Sequence, residues 1–357
     1  MKELILVVDE PQLPLPGVTF VYWPRWMSKV LTRPVARAFT VILAGRRYRP
    51  DLYMGYHLGP GACTALVAGK LFGRPTCYQM TGGPVEIIGG GVYAAEGIGV
   101  ALRCPSRLVE SMGLAVVRRF DLVIVRGNKA REFLAGRGVR KSVAVITGSV
   151  NGSKQLPPCK RDIHIIFVGR LSPIKQVRQF IDVVNGVRRH IPNVRAAIVG
   201  NGPLEEELQT YARELGLTGH IEFLGQRVDV EVFLARSKIF TLTSRSEGLS
   251  IALAEAMCAG VVPVVANIGE LGDLVIDGDN GYLIEPGDIE EYTSKAVSLL
   301  HDELWWARLS DQARQAARQH CGVETITEKW RRNLRKAISE ASGSVPEQIL
   351  NHELTQT

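Results

Sequence analysis

Short runs of β-branched and apolar residues recur along the whole chain, and each is followed by a longer stretch with helical spacing. That alternation restricts the fold to α/β with parallel sheets, because a strand that returns through a crossover helix lies parallel to its neighbour. Strands are predicted at 4–8, 52–55, 76–79, 122–125 and 143–146, then at 163–168, 196–199, 221–225, 239–242, 261–266 and 282–284. Helices are predicted near 35–47, 61–71, 105–119 and 129–137 in the first half. A chain of 357 residues has room for two such domains. Residues 151–161, with two prolines and a glycine, break the rhythm and read as the linker. The expected division is a first domain over 1–155, a second over 156–322, a basic amphipathic helix over 323–340 and a frayed polar tail over 341–357.

Charge is unevenly placed. Residues 1–160 carry 22 lysines and arginines against 9 acids, and the remainder carries 21 against 27. A basic half attracts a polyanion, either a membrane surface or a nucleic acid. No helix-turn-helix, metal finger or aromatic single-strand platform is recognisable, so nucleic acid is not an expected partner. Between Thr19 and Pro50 there are seven cations and no acid. Arg25, Lys29, Arg33 and Arg37 recur every fourth residue, which would make one helix face basic, with Trp23, Trp26 and Met27 as its apolar partner and Pro34 interrupting it. That combination fits an anionic bilayer interface, or else a solvated basic face beside core aromatics.

The first nine residues turn acidic too early for a signal peptide and read as a buried first strand. No apolar run is long enough to span a bilayer. The six cysteines show no paired short spacing, so free thiols in a reducing cytoplasm are expected, with peripheral docking on the inner face of the membrane.

Two stretches of the second half carry chemistry. In 246–257, Glu247 and Glu255 stand eight positions apart around Gly248, Leu249 and Ser250. The pattern reads as a loop followed by a helix with Ser250 near its N-cap. The unpaired first amides of such a helix bind anions. In 169–175, Arg170 and Lys175 flank a turn at the end of a strand. Two cations there suit a diphosphate, the arginine by its fork and the lysine as a point charge. Asp277 and Asp279 run into Asn280-Gly281 and read as turn chemistry instead of a metal site. Residues 80–91 form a glycine-rich loop after a strand, at the sheet edge where α/β proteins hold ligands, but the glycine spacing is not a dinucleotide fingerprint.

The segments Phe-Val-Gly-Arg-Leu-x-x-x-Lys at 167–175 and Glu-Gly-x-x-x-x-x-x-Glu-Ala-Met at 247–257 together resemble the retaining glycosyltransferases of family 4. The resemblance covers roughly 162–300 and implies GT-B architecture, two Rossmann-like domains with parallel sheets facing across a cleft. It implies that Arg170 and Lys175 hold the donor diphosphate, that amides of Gly248, Leu249 and Ser250 add to this, and that Glu255 accepts the ribose hydroxyls. Glu247 would stand beside the donor sugar, and Gln226 and Arg227 would lie where backbone meets the base. The implied reaction moves a glycosyl group from a UDP- or GDP-linked sugar with retention, with no cofactor and no metal. The acceptor would be a lipid-linked or polysaccharide-precursor glycan, and the terminal helix would cross back to the first domain.

The first half departs from that pattern. Its first strand is followed only by Pro16-Gly17 rather than a double glycine, and no histidine stands near Thr81-Gly82-Gly83. Glu86 is the nearest ionisable group there, and His57 follows another strand, where a structural role competes with a functional one. These departures keep two other readings open: a transferase for a soluble acceptor, and a non-catalytic GT-B scaffold that binds a nucleotide sugar.

Overall fold

The computed structural model describes residues 3–9, 12–23, 27, 31–92, 104–139, 142–150 and 160–342. The chain divides into two compact units, Met1–Ile146 with Thr327–Thr357, and Thr147–Ile326. Most of the predicted linker, 151–159, lies outside the described residues, as do Arg25, Trp26 and Lys29.

Among the described residues the first unit holds two parallel sheets. In the smaller, β1 (Leu4–Val8) pairs with β2 (Val18–Tyr22). In the larger, β3 (Tyr53–Tyr56), β4 (Thr76–Met80), β5 (Leu122–Val125) and β6 (Ser142–Val145) lie side by side in chain order. Helices α1 (Arg33–Tyr48), α2 (Pro60–Phe72), α3 (Arg107–Val117) and α4 (Asn128–Gly136) connect or cover them. The core gathers Tyr78, Met80, Phe120, Val123 and Leu134, with the Tyr78 and Phe120 rings 5.5 Å apart. Thr76 ties β4 to β5 by donating from both N and Oγ1 to Asp121 Oδ2.

Several expectations for this unit are corrected. Strand β2 falls between the expected loop and the expected basic helix; its side chains are partly exposed, and among the described residues it pairs only with β1. Strand β1 is not fully buried: Leu4 is exposed and the rest half-buried, and among the described residues β2 is its one strand partner. Pro34 marks a break as expected: residues 31 and 32 are not helical, and α1 starts at Arg33. It sits in the first turn of α1, where its missing N–H costs nothing. Trp23 and Met27 do not form an exposed apolar partner. They are buried with Ala36, and Arg37 lies over the Trp23 ring while pairing with Asp9.

The second unit is a six-stranded parallel sheet of β7 (Ile163–Val168), β8 (Ala196–Val199), β9 (Ile221–Gly225), β10 (Ser237–Leu242), β11 (Val262–Ala266) and β12 (Tyr282–Ile284). The order across it is β12-β11-β10-β7-β8-β9. Counted within the unit this is the doubly wound order 3-2-1-4-5-6, so the direction of winding reverses between β7 and β10. The connecting helices are α5 (Val177–Arg188), α6 (Glu205–Glu214), α7 (Val230–Ala235), α8 (Ile251–Cys258), α9 (Ile289–His301) and α10 (Glu303–Cys321). On α5, Phe180, Ile181, Val184 and Val187 recur at helical spacing and are buried. Buried Tyr292 of α9 donates its hydroxyl to Leu242 O at the end of β10. The last helix, α11 (Val323–Ala341), begins in this unit, and its residues from Thr327 group with the first.

Candidate nucleotide-sugar site

In a doubly wound sheet the crevice opens beyond the carboxyl ends of the strands where the winding reverses. Here those ends are the turn after β7 and the loop after β10. Arg170 leaves β7 two residues past its end, and a single 3-10 turn, Pro173–Lys175, places Lys175 opposite the β10 loop. Lys175 Nζ donates to Glu247 Oε1 at 2.6 Å, and Ser244 Oγ donates to the same oxygen at 2.5 Å. The backbone is tied as well: Arg245 N donates to Ile174 O, and Thr243 Oγ1 to Gln176 O. Glu247 is thereby held almost out of solvent, its side chain 8% exposed against 21% for Lys175. Arg170 is exposed, and among the described residues its side chain has no ion-pair or hydrogen-bond partner.

Glycines let backbones close on this turn. A Cβ on Gly269 would run into the Glu247 carbonyl, and one on Gly200 into the Gly169 carbonyl. Both glycines have positive φ, so each also supplies a conformation other residues disfavour.

Ser250 caps α8, its Oγ accepting from Leu253 N at 3.3 Å. This satisfies one of the four orphan donors of the helix start and leaves the first-turn amides next to Gly248 and Leu249. Glu255 lies one turn further on, half-buried. Burial pushes its carboxyl above the ordinary glutamate value, and the charge of Glu231 adds to this. A carboxylate that is short of solvent gains from hydroxyl donors.

Gln226 and Arg227 follow β9, the edge strand, two strands away from β7. Gln226 Oε1 accepts from Asn201 Nδ2 at 3.1 Å, and Asn201 O accepts from Leu171 N, so this edge is linked to the turn that carries Arg170. Arg227 makes a two-bond fork on Asp229 at 2.9 and 2.8 Å and lies over Phe233. That fork holds the Asp229 carboxyl below its ordinary value. Asp277 and Asp279 are engaged locally: Asp277 accepts from Leu283 N and Asp279 from Gln312.

Thus Arg170, Lys175, Glu247, Gly248, Leu249, Ser250 and Glu255 share the region of the β7 and β10 ends. Sequence reasoning missed Ser244, Asn201 and the glycines 200 and 269. Gly200-Asn201-Gly202, a turn directly after a strand, was the available signal.

Comparison with known proteins places this unit. Residues 152–320 match the family described as glycosyl transferases group 1. An uncharacterized glycosyltransferase of Haemophilus influenzae is 30% identical over 168 residues, 47% of this chain and 47% of that one. The UDP-Gal:alpha-D-GlcNAc-diphosphoundecaprenol alpha-1,3-galactosyltransferase of Escherichia coli is 32% identical over 140 residues, 38% of this chain and 36% of that one. The matched stretch therefore spans about half the length, or less, of these curated relatives. The crystal structure of HepE from Anabaena with UDP superposes with a TM-score of 0.73 at 20% identity, covering 90% of this chain and 86% of that one. The α/β fold with parallel sheets is that of the GT-B glycosyltransferases.

Proposed function

We propose that the chain is a retaining glycosyltransferase that moves a sugar from a nucleotide-diphosphate sugar to a lipid-linked or polysaccharide-precursor acceptor. The observation that carries this reading is the convergence of Arg170, the Lys175–Glu247 pair and the capped start of α8 where the sheet winding reverses. The diphosphate meets Arg170, Lys175 and the first amides of α8. These donors act most strongly on the charge that grows as the nucleotide leaves, so they lower the barrier instead of merely binding the ground state. Lysine has three donors, so Lys175 keeps Glu247 while it holds a phosphate oxygen. Glu255 takes the ribose hydroxyls, and Glu247 stands beside the sugar. The base lies along backbone near Gln226 and Arg227, whose side chains are already engaged. The two cations do the work of a divalent ion, and neither a metal nor a cofactor is required. The departing phosphate accepts the acceptor's proton, so no separate base is needed. Retention rests on the family resemblance of the two motifs.

The lipid side of the reading draws on charge, on an exposed face of α1 and on the diphosphoundecaprenol substrate in the name of the Escherichia coli relative. Val35, Phe39 and Leu43 recur every fourth residue on α1 and are each about half exposed, with Arg46 on the same face. Apolar side chains edged by cations suit an anionic bilayer interface. No helix among the described residues is long and apolar enough to cross a membrane.

The test is product analysis. The chain is incubated with UDP- and GDP-linked sugars and a membrane-lipid extract, and the anomeric configuration of any glycosylated product is read by proton NMR. A product with the donor's configuration supports the reading. An inverted product, or none with any donor, contradicts it.

A further inference from the structure

The second unit carries a basic row at the end of its sheet opposite to Arg170 and Lys175. His164 is the second residue of β7, half-buried at the amino end of that strand. On one side, His164 N donates to Arg195 O at 2.8 Å, so Arg195, the residue before β8, is its neighbour. On the other, Ile163 pairs with Ser237 and Ile165 with Ile239, which sets Lys238 beside His164. Residues paired in neighbouring strands point to the same face. Arg195, His164 and Lys238 therefore stand in line across three strands, each about 5 Å from the next. Two cations flanking a half-buried histidine gain nothing from one another, so stability does not account for the row.

Asp162 and Glu303, the acids beside the row, are already engaged. Asp162 accepts the Arg236 fork on both oxygens, at 2.9 and 2.7 Å. Glu303 pairs with Lys238 Nζ, which also lies over the Trp306 ring. His220, one strand beyond Arg195, has its Nδ1 on Val194 O at 2.9 Å. Arg195 is exposed, and among the described residues its side chain has no ion-pair or hydrogen-bond partner. His164 Nδ1 accepts from Arg195 N at 2.9 Å. The neutral ring then carries its proton on Nε2, a donor with no acceptor among the described residues. Burial first, then Lys238 and Arg195, hold the ring below the ordinary histidine value, with Asp162 pulling the other way.

We propose that this row binds a phosphate group, held between the Arg195 guanidinium and His164 Nε2–H, with Lys238 as a third cation. A tetrahedral oxyanion suits it: the arginine fork takes two oxygens and the ring N–H a third. A carboxylate engaged by the fork at both oxygens has no third oxygen for the ring. Inorganic phosphate and a small phosphate monoester share this chemistry, and the probes below separate them. Six residues of extended chain, about 20 Å, separate His164 from Arg170, so the row is distinct from the region proposed for the donor diphosphate. It stands whether or not the chain transfers a sugar.

The test uses the full chain with isotope-labelled histidine, at neutral pH and fixed ionic strength. There are seven histidines. His164→Gln assigns the His164 ring signal by its loss; if that chain does not fold, the ring signal displaced in Arg195→Ala identifies it. The probes are inorganic phosphate and glycerol 3-phosphate, with chloride as the control for screening. Inorganic phosphate is expected to move the His164 signal saturably, with half-saturation at about 1 mM, and to leave His57 and His301 in place. Arg195→Ala, a change at an exposed side chain, should weaken that response at least about tenfold, and Arg195→Lys should weaken it less. Glycerol 3-phosphate binding as tightly marks an ester site, and its failure beside a phosphate response marks a site for inorganic phosphate; either supports the inference. A His164 signal that neither phosphate moves overturns it, as does a chloride shift equal to that of phosphate or an Arg195→Ala chain that responds like wild type. Arg170→Ala should leave the response unchanged. A response lost in Arg170→Ala would mean that phosphate acts from the donor region and that the row is not its site.

Discussion

Lys175 Nζ and Glu247 Oε1 stand 2.6 Å apart although 72 residues separate them in the chain. The pair joins the turn after β7 to the loop after β10, across the point where the sheet reverses its winding. Removing the lysine alone leaves a nearly buried carboxylate with the Ser244 hydroxyl as its side-chain partner. Lys175→Ala should lower the stability of the second unit by about 2 kcal/mol, and adding Glu247→Gln should recover about half of that. Denaturant unfolding of the two single variants and the double variant measures the coupling.

Gly269 is the most exacting backbone position in this region. It combines a φ of 52° with a backbone approach to Glu247 that leaves no room for a Cβ. Gly269→Ala should cost several kcal/mol, on the order of 3 or more, and displace the Glu247 loop. A thermal midpoint equal to wild type would show that the approach is looser than described.

Glu255 links stability to pH in a direction opposite to most carboxylates. Its folded-state value is raised, by burial first and by Glu231 second, so the folded chain holds this proton more tightly than the unfolded one. The contribution favours folding below the ordinary value of 4.5 and is lost as pH rises through the raised value. Glu255→Gln should therefore raise the thermal midpoint of the ligand-free chain at neutral pH, bring it level with wild type in acid, and weaken nucleotide binding. Midpoints measured across that pH range, with and without nucleotide, check all three outcomes.

Vesicle binding tests the exposed face of α1. Phe39→Ser with Leu43→Ser should cut binding to phosphatidylglycerol vesicles at least about tenfold, since each side chain is half exposed and full transfer of one is worth roughly 1.5–3 kcal/mol. Phosphatidylcholine vesicles should bind weakly in every case, and added salt should release the wild type from the anionic ones.

Chelation separates cation chemistry from metal chemistry. With Arg170 and Lys175 holding the diphosphate, transfer should proceed at the same rate after exhaustive treatment with EDTA. A rate restored only by added divalent ion would mean that the two side chains do not suffice.

Much of the second unit was legible because its strands are short, largely apolar runs ended by glycine or a charged turn, as at Ile163–Val168 and Ala196–Val199. The motifs around Arg170 and Glu247 were legible for the same reason, since each is local. The Lys175–Glu247 contact was not, because nothing in either motif records its partner. Strand β2 was hidden by Pro14, Pro16 and Gly17 before it and by aromatics after it, a pattern shared with loops. The donors on Glu86 come from Leu58, Tyr78, Thr81 and Gly82, with His57 beside them. These residues lie on two strand ends, and their meeting depends on the register of β3 against β4 rather than on any spacing.

The most direct measurement of the central claim is calorimetric titration of UDP- and GDP-linked sugars into wild type and Arg170→Ala. One nucleotide class should bind the wild type, and the exposed arginine's removal should weaken that binding at least about tenfold without moving the thermal midpoint. If no nucleotide sugar binds the wild type, or if Arg170→Ala binds as tightly, then the region around the β7 and β10 ends is not a donor site.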